Sequence, residues 1–486
     1  MLVPEIALTE QTIERFRSRF EGKIAVLHHR LNEGERFDEW HRIANNEVQI
    51  VIGARSAIFA PLANLGLIIV DEEHEGAYKQ SEGFSYHARD VAVMRGHFCS
   101  ACVILGSATP SLESMYNVSR KKYTLLSLTQ RAEHAQLPAI HIVDMKREAE
   151  KAKQGTLFSE LLIDKLKKRL ALGEQSILFL NRRGYHTTLS CNHCKTVYTC
   201  PSCALALTFH RKEQLLSCHL CDYHLSPLPT KCALCNHHET LKYSGVGTEK
   251  LESAVHALFP EARVLRIDSD TTRHKVSIER LFTQFRTHKA DILIGTQMVA
   301  KGLHFPSVTL VALINADGGL NIPDFRSSER IFQLITQVSG RAGRGALPGE
   351  VIIQSYLPNH ETIQAACKQD FDLFYKQEIA IRELFDYPPF SHLVKLTFTG
   401  KNPTLTEEKA VQFRQHLISC LPKSALAYPL VPCGYAKIKD HFRFQFLIKG
   451  PTTPPICLAI NQTKRHNGLP KEVKLMVDVD PISTFF

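Results

Sequence analysis

No apolar run in the chain is long enough to cross a bilayer, which excludes a helical membrane protein. No leader with an apolar core is read at its start, and the protein is expected not to be exported. Charge of one sign is in only modest excess. Lys and Arg total 59 against 49 Asp and Glu, a net +10 that fits a polyanion partner without requiring one. What remains, 486 residues with 44% hydrophobic and 22% charged, predicts a soluble, cytoplasmic protein of several domains.

Cysteine is plentiful and unevenly spread. Eight of the 14 cysteines form four Cys-x-x-Cys pairs in one short stretch: Cys191/Cys194, Cys200/Cys203, Cys218/Cys221 and Cys232/Cys235. Without an export signal a disulfide framework does not apply, and the spacing points to tetrahedral all-thiolate zinc sites. Four pairs can be matched into two sites in three ways. The nested one is favoured, with Cys191, Cys194, Cys232 and Cys235 on one ion and Cys200, Cys203, Cys218 and Cys221 on the other. The inner loop reads as a ribbon hairpin, apolar and β-branched from Ala204 to Phe209, turning at His210-Arg211-Lys212-Glu213 and returning through Leu215 and Leu216. His193, His219, His224, His237 and His238 are rival ligands, but eight cysteines fill two tetrahedra, and the histidines are read as surface residues. The scattered Cys99, Cys102, Cys367, Cys420, Cys433 and Cys457 are read as buried free thiols.

On the amino-terminal side of this cluster, strands are predicted at Ile24 to Leu27, Val48 to Ile52, Leu65 to Val70 and Cys102 to Leu105, with helical stretches between. That alternation is α/β around a parallel sheet. The run Leu67-Ile68-Ile69-Val70 reads as a strand covered on both faces, delivering Asp71-Glu72-Glu73-His74 at its carboxyl end. Such carboxylates suit nucleotide hydrolysis, Asp71 holding Mg²⁺ through water and Glu72 orienting and deprotonating the attacking water. Gly106-Ser107-Ala108-Thr109-Pro110 follows the next strand and offers Ser107 and Thr109 hydroxyls to relay nucleotide state.

Beyond the cysteines, Asp291 to Ile294 leads into Gly295-Thr296-Gln297-Met298 and Lys301-Gly302. An amphipathic helix with Ile331, Leu334, Ile335 and Val338 on one face then carries Gln337-Val338-Ser339-Gly340-Arg341-Ala342-Gly343-Arg344. Arg341 and Arg344 are planar, permanent cations suited to the charge that develops on a transferred phosphoryl group.

In this order the elements resemble superfamily 2 helicases, and the details narrow the likeness to the DNA helicases of replication restart. The residues that carry it are Leu2-Val3-Pro4-Glu5-Ile6-Ala7-Leu8-Thr9, Gly53-Ala54-Arg55-Ser56-Ala57, the Asp71 to His74 tetrad, Asn181-Arg182-Arg183-Gly184-Tyr185, Gly295-Thr296-Gln297-Met298 and Val477-Asp478-Val479-Asp480-Pro481. The resemblance covers essentially the whole chain. It implies two RecA-like lobes closing around ATP and Mg²⁺, 3′ to 5′ movement on forked DNA and D-loops, and help in reloading the replicative helicase. Implied partners are single-stranded-DNA-binding protein and other primosome proteins, with no membrane, and the chain is expected to be a monomer. Glu73, His74, Ser107, Thr109 and Gln337 would couple turnover to DNA. Pro4, Glu5, Thr9, Arg55, Ser56, Thr296 and Lys301 would contact the DNA backbone.

One family element is missing. No Gly-x-x-x-x-Gly-Lys-Ser/Thr occurs, since Gly22-Lys23 runs into Ile24 and Gly400-Lys401 into Asn402. The β- and γ-phosphates then lack their backbone cradle, which leaves ATP turnover by this chain alone an open point. A first lobe without that strand is expected to be poorly stable, and a split gene or a late start site is the expected origin. A motor-inactive DNA- and partner-binding scaffold is therefore the second reading. An RNA helicase is the third, and the zinc insertion, the aromatic loop and Glu73-His74 speak against it.

That aromatic loop is Tyr78-Lys79-Gln80-Ser81-Glu82-Gly83-Phe84-Ser85-Tyr86-His87-Ala88-Arg89-Asp90. Tyr78, Phe84 and Tyr86, interleaved with Lys79 and Arg89, are expected to stack on unpaired bases. The expected domains are a first lobe at 1–130, a second lobe at 131–190 and 241–384 interrupted by the zinc-binding insertion at 191–240, and a carboxyl-terminal domain at 385–486. In that last domain alternation at Leu393 to Thr399, Phe442 to Ile448 and Val473 to Val479, with helix from Glu407 to Ile418, suggests a ferredoxin-like α+β sandwich. Lys437, Lys439, His441 and Arg443 are read as either a DNA contact or a solvated basic face.

Overall fold

The computed structural model describes residues 1–4, 10–20, 22–28, 31–81, 83–128, 138–153, 156–181, 188–191, 193–194, 196–202, 206–210, 215–218, 221, 223–238, 240–244, 247–267, 275–296, 299, 305–343 and 347–485. The chain forms two compact units, the first built on Met1–Thr129 and the second on Gln130–Val299 with Phe305–Phe486.

In the first unit, β1 (Ile24–Leu27) pairs in parallel with β2 (Ile50–Gly53), and β3 (Leu67–Asp71) with β4 (Cys102–Gly106). Leu2 joins the two pairs, bridging Gly53 on one side and Val70 on the other. Its backbone is fully used: Leu2 N donates to Ile69 O at 2.7 Å, and Asp71 N donates to Leu2 O at 2.9 Å. Four helices accompany the strands: α1 (Glu10–Phe20), α2 (Glu33–Ala44), α3 (Ala88–Cys99) and α4 (Leu112–Ser119). Helix α2 starts at a reciprocal cap in which Asn32 and Glu35 each bond the other's backbone N–H. The core gathers Leu2, Ala25, Ile43, Val51, Ile68, Val70 and Tyr78.

Strand β3 is less covered than its apolar run implied. Ile68 and Val70 are buried, but Leu67 is 48% exposed and Ile69 only half-buried. Among the described residues nothing pairs with the outer side of β4, whose Ile104 is 46% exposed. The same edge corrects the reading of Cys99 and Cys102 as buried thiols, because both are exposed there. Cys420 is exposed too, Cys367 and Cys457 are partly covered, and Cys433 alone of the six is buried.

The second unit is led by a six-stranded parallel sheet. Its strands are β5 (Ala139–Asp144), β6 (Gln175–Leu180), β12 (Val264–Ile267), β13 (Ile292–Gly295), β14 (Val308–Ile314) and β15 (Glu350–Ser355), in the order β12-β13-β6-β14-β15-β5. Strands β6 and β14 are buried along their whole length, as continuous apolar runs covered on both faces should be. Between β6 and β12 the chain leaves this sheet to build a small antiparallel one. It has β7 (Thr188–Cys191), β8 (Thr208–His210), β9 (Leu215–Ser217), β10 (His224–Leu225) and β11 (Leu241–Ser244), in the order β10-β9-β8-β7-β11. The inner hairpin pairs Thr208 with Ser217 and His210 with Leu215.

Helices α5 (Glu160–Ala171), α6 (Thr248–Leu258), α7 (Lys275–Arg286) and α8 (Ser327–Ser339) accompany the parallel sheet, and after β15, α9 (Glu361–Cys367) and α10 (Phe371–Leu384) lead to the carboxyl-terminal sandwich. There β16 (His392–Gly400), β17 (Val431–Ile438), β18 (His441–Gly450) and β19 (Val473–Val479) form an antiparallel sheet in the order β19-β16-β18-β17. Helices α11 (Pro403–Cys420) and α12 (Pro454–His466) complete the βαββαβ arrangement of a ferredoxin-like fold.

Candidate functional site: a carboxylate turn, a cysteine cage and a buried clamp

The first site grows from the carboxyl end of β3. Asp71 lies in register with Gly106 at the end of β4, so the two strand ends present their loops side by side. Glu72 takes φ 47°, a left-handed turn rarely adopted by an L residue, while Glu73 N donates to Gly106 O at 3.0 Å. His74 Nδ1 then lies 2.7 Å from Ser107 Oγ and 3.6 Å from Glu72 Oε2. Thr109 N donates to the same Ser107 Oγ at 2.9 Å. One hydroxyl thus touches both the carboxylate turn and the loop after β4, joining His74, Ser107 and Thr109, three of the residues singled out in the sequence.

Glu73 ties the turn to the next helix. It is 1% exposed and accepts from Ser111 N at 2.6 Å, Ser111 Oγ at 3.1 Å, Ser114 Oγ at 3.0 Å and Arg89 Nη1 at 3.2 Å. Burial opposes the charge on Arg89, but Asp90 and Glu73 more than offset it and raise its pKa. Burial pushes the Asp71 carboxyl above its ordinary range, against the lowering effect of the Glu72 N–H and His74. A carboxylate half withdrawn from water in this way gains from a cation, which fits the Mg²⁺ role assigned to Asp71.

The aromatic loop is corrected in three places. Tyr78 is 0% exposed, packs in the core and donates its hydroxyl to Asp71 O at 2.7 Å, so it braces the carboxylate turn and offers no face to a base. Lys79 is 7% exposed, and Arg89 is committed to Glu73 and Asp90. Tyr86 is half-buried with its ring edge-on to Phe59, whereas Phe84 is 85% exposed. Alternating aromatics looked alike in sequence, and their burial was decided by strands far away in the chain.

Of the residues expected along the DNA backbone, Ser56 is exposed, Pro4 and Thr296 are buried, and Arg55 Nη1 donates to Lys79 O at 2.7 Å. Gly53 before Arg55 is needed for close approach, since a Cβ there would sit 2.4 Å from Leu27 O and 2.5 Å from Ala57 Cβ. Gly295 before Thr296 is the same case, 2.1 Å from Val299 Cγ2. Glu5, Thr9, Lys301, Arg344 and Cys203 lie outside the described residues, as does most of Asn181 to Tyr185.

The second site is the cysteine cage. Sγ atoms of Cys191, Cys194, Cys232 and Cys235 lie within 4.8 Å of one another, and those of Cys200, Cys218 and Cys221 do likewise. This is the nested pairing. A tetrahedron of Zn–S bonds of about 2.3 Å requires sulfurs about 3.8 Å apart. The sulfur pairs stand at 3.7 Å for Cys191 and Cys235, 3.5 Å for Cys194 and Cys232, and 3.5 Å for Cys200 and Cys221. The Thr240 hydroxyl beside Cys191 holds that thiol well below its usual range, at about 5. Cys235 goes the other way: the His237 N–H lowers it, but burial and the neighbouring sulfurs push it up to about 12. Four crowded thiols cannot all ionise unaided, and a divalent cation resolves the conflict.

The β17–β18 turn meets this module. Asp440 N donates to Ser202 O at 2.8 Å, and Lys437 Nζ donates to Pro201 O at 2.7 Å and pairs with Asp440 at 3.2 Å. Lys437 is therefore spent on the loop after Cys200, which corrects its reading as part of a DNA-facing or solvated strand.

The third feature surrounds α8 (Ser327–Ser339), which leads to Arg341. Its apolar face of Ile331, Leu334, Ile335 and Val338 is buried, and so is Arg341 at 9% exposure. At its start Glu329 accepts from Arg382 Nη2 at 3.1 Å, while Arg382 Nε donates to Glu378 at 2.9 Å and Nη1 to Pro388 O at 3.0 Å. Arg382 is 1% exposed with its guanidinium 4.7 Å from the centre of the Phe325 ring. Asp324, one step earlier, accepts from Ser483 Oγ at 2.6 Å and Thr484 N at 3.2 Å, and Arg330 bonds Ile482 O. This clamp is not legible in local sequence patterns, because its members lie up to 160 residues apart.

Comparison with known proteins gives family matches along the chain. Residues 1–118 match the DEAD/DEAH box helicase family, and 232–346 the helicase conserved C-terminal domain. Residues 200–225 match the PriA DNA helicase Cys-rich region, and 383–482 the primosomal protein N C-terminal domain. The Replication restart protein PriA of Treponema pallidum is 40% identical over 99% of this chain and 72% of its own length. The chain belongs to the PriA family. The PriA of Rickettsia felis is 37% identical over 100% of the chain and 74% of its own length. That of Chlamydia pneumoniae is 50% identical, and the chain spans 65% of it, a little under two thirds. Two RecA-like lobes, a Cys-rich zinc region and the PriA carboxyl-terminal domain account for its α/β architecture.

Proposed function

We propose that the chain carries the motor and zinc-bearing parts of an ATP-dependent, 3′ to 5′ DNA helicase that acts on forked DNA and D-loops in replication restart. What supports this reading above all is membership of the PriA family together with the His74 to Ser107 contact of 2.7 Å, which ties the carboxylate turn to the loop after β4. Asp71 would hold Mg²⁺ through water, and that ion would supply neutralisation of phosphate charge; Glu72 orients and deprotonates the attacking water, and Arg341 and Arg344 stabilise charge developing on the phosphoryl oxygens. His74 changes its hydrogen bond with Ser107 as Glu72 gains a proton, and Ser107 passes the change to Thr109. Phe84 stacks on an unpaired base, and Ser56 binds backbone phosphate. Single-stranded-DNA-binding protein and primosome proteins are the proposed partners, with two Zn²⁺ stapling the Cys-rich module.

A second reading, a DNA- and partner-binding scaffold without motor activity, is favoured by the absence of a Gly-x-x-x-x-Gly-Lys-Ser/Thr loop from this sequence. Strand-separation assays on labelled forks distinguish the two. The chain as given and the chain joined to a PriA phosphate-binding segment are assayed with ATP. Unwinding by the joined form alone supports the motor reading with an incomplete nucleotide site. Fork binding without unwinding by either form supports the scaffold.

A further inference from the structure

Cys235 has neighbours besides the three cysteines of its cage. A ring nitrogen of His193, a ring nitrogen of His237 and Cys235 Sγ lie within 4.8 Å of one another. Both histidines are exposed, and their rings stack with centroids 4.0 Å apart and planes 20° from parallel. A ring lone pair lies in the plane of its ring, so for both to meet one tetrahedral ion, with nitrogens about 3.3–3.4 Å apart, at least one of these exposed rings turns out of the stack. His237 Nδ1 lies 3.0 Å from Cys235 O. A ring N–H given to a backbone carbonyl is the usual way a ligating histidine is oriented, and it leaves Nε2 as the lone-pair donor.

The charge of the cage supplies the attraction. One Zn²⁺ among four thiolates leaves a formal excess of two negative charges, and a zinc-bound thiolate keeps lone pairs for a second metal. Cys235 is the cage sulfur flanked by two imidazoles, and its partly covered side chain leaves an approach from solvent.

We propose that His193, His237 and the shared Cys235 thiolate bind a further divalent cation of borderline softness, of the Zn²⁺ or Co²⁺ class, beside the four-cysteine cage. Three protein ligands with the fourth position open to water make the site exchangeable, in contrast to the closed cage. No bond of the cage breaks, because Cys235 bridges the two ions. The site does not depend on helicase activity.

The test uses the zinc-loaded full chain dialysed against Co²⁺, with zinc and cobalt both counted by atomic emission and the visible spectrum recorded. The wild-type chain is expected to hold one metal ion more in total than His193→Ala/His237→Ala, with an added ligand-field band from a low-symmetry Co²⁺. Removing two ligands should weaken the extra ion by more than the roughly 10- to 100-fold typical of losing an orienting partner. His224→Ala/His238→Ala, which alters exposed histidines outside the cluster, should keep it. Equal totals in wild type and cluster variant overturn the proposal, including the case in which cobalt replaces zinc one for one. So does loss of the ion in the control. Should the double variant fail to hold its cage metal, His237→Gln alone carries the same comparison with the same outcomes.

Discussion

Replacing Arg382 by Met should destabilise the second unit by about 3–5 kcal/mol, the typical cost of stranding a buried charge. The substitution keeps most of the side-chain volume but removes the cation between Glu378 and Glu329, which are only 5% and 4% exposed. It also takes the donor from Pro388 O and the guanidinium from the Phe325 ring. Arg326 Nη1 remains 3.3 Å from Glu329 and places the expected loss toward the lower end of the range. A domain's stability is about 5–15 kcal/mol, so the loss is a large share, read as a melting shift on the order of 6–12 °C. Burial already raises the Glu378 pKa in spite of Arg382, and removal of the arginine raises it further. A carboxyl with a raised folded-state pKa binds more protons when folded, so the variant loses stability as pH rises through that value. Urea unfolding at pH 5 and pH 8 should therefore show the larger deficit at pH 8, and Arg382→Met/Glu378→Met should recover part of it. A deficit under about 1 kcal/mol, or one indifferent to pH, would refute the buried clamp.

Other consequences are tested as directly. Asp324 is held below its ordinary carboxyl range, because Arg330 and the Ser483 hydroxyl outweigh the opposing effect of burial. Its stabilising contribution is thus complete above the unfolded value of about 3.9 and disappears as pH falls through the lower folded value. Hydrogen exchange at Thr484 N should accelerate only below about pH 4. Cys232→Ser, or chelation, should unfold the Cys-rich module, since such sites hold roughly 10–16 kcal/mol of apparent folding free energy. Protease cleavage near Lys439 should then appear, because the β17–β18 turn loses its bonds to Pro201 and Ser202. Phe84→Ala should weaken single-stranded DNA binding by about 1–3 kcal/mol, whereas Tyr86→Ala, edge-on to Phe59, should act mainly on stability.

Where the chemistry is local, the sequence was enough to read it. The strand before Asp71, the four Cys-x-x-Cys pairs and the βαββαβ order follow from periodicity, spacing and turn residues over short windows, whereas spacing favoured the nested match of the cysteine pairs without deciding it. Burial set by distant partners was not legible. Tyr78 and Phe84 share one loop, yet one ring fills the core with its hydroxyl donated to Asp71 O and the other is open. Lys437 sits on a basic strand, yet its ammonium belongs to the carbonyl of Pro201, 236 residues away. His193 and His237 read as surface residues, because eight thiols suffice for two tetrahedra, and they are exposed. Counting ligands says nothing of a thiolate shared between ions.

Under the proposed function, Glu72, held in its left-handed turn beside His74 and Ser107, would act as the base of a DNA-stimulated ATPase. Steady-state ATP hydrolysis on forked DNA, by the chain joined to a PriA phosphate-binding segment and by its Glu72→Gln variant, tests it most directly. Loss of general-base catalysis should lower kcat by about 10²–10⁴ with fork binding unchanged. Turnover of the variant within a few-fold of the parent would contradict it.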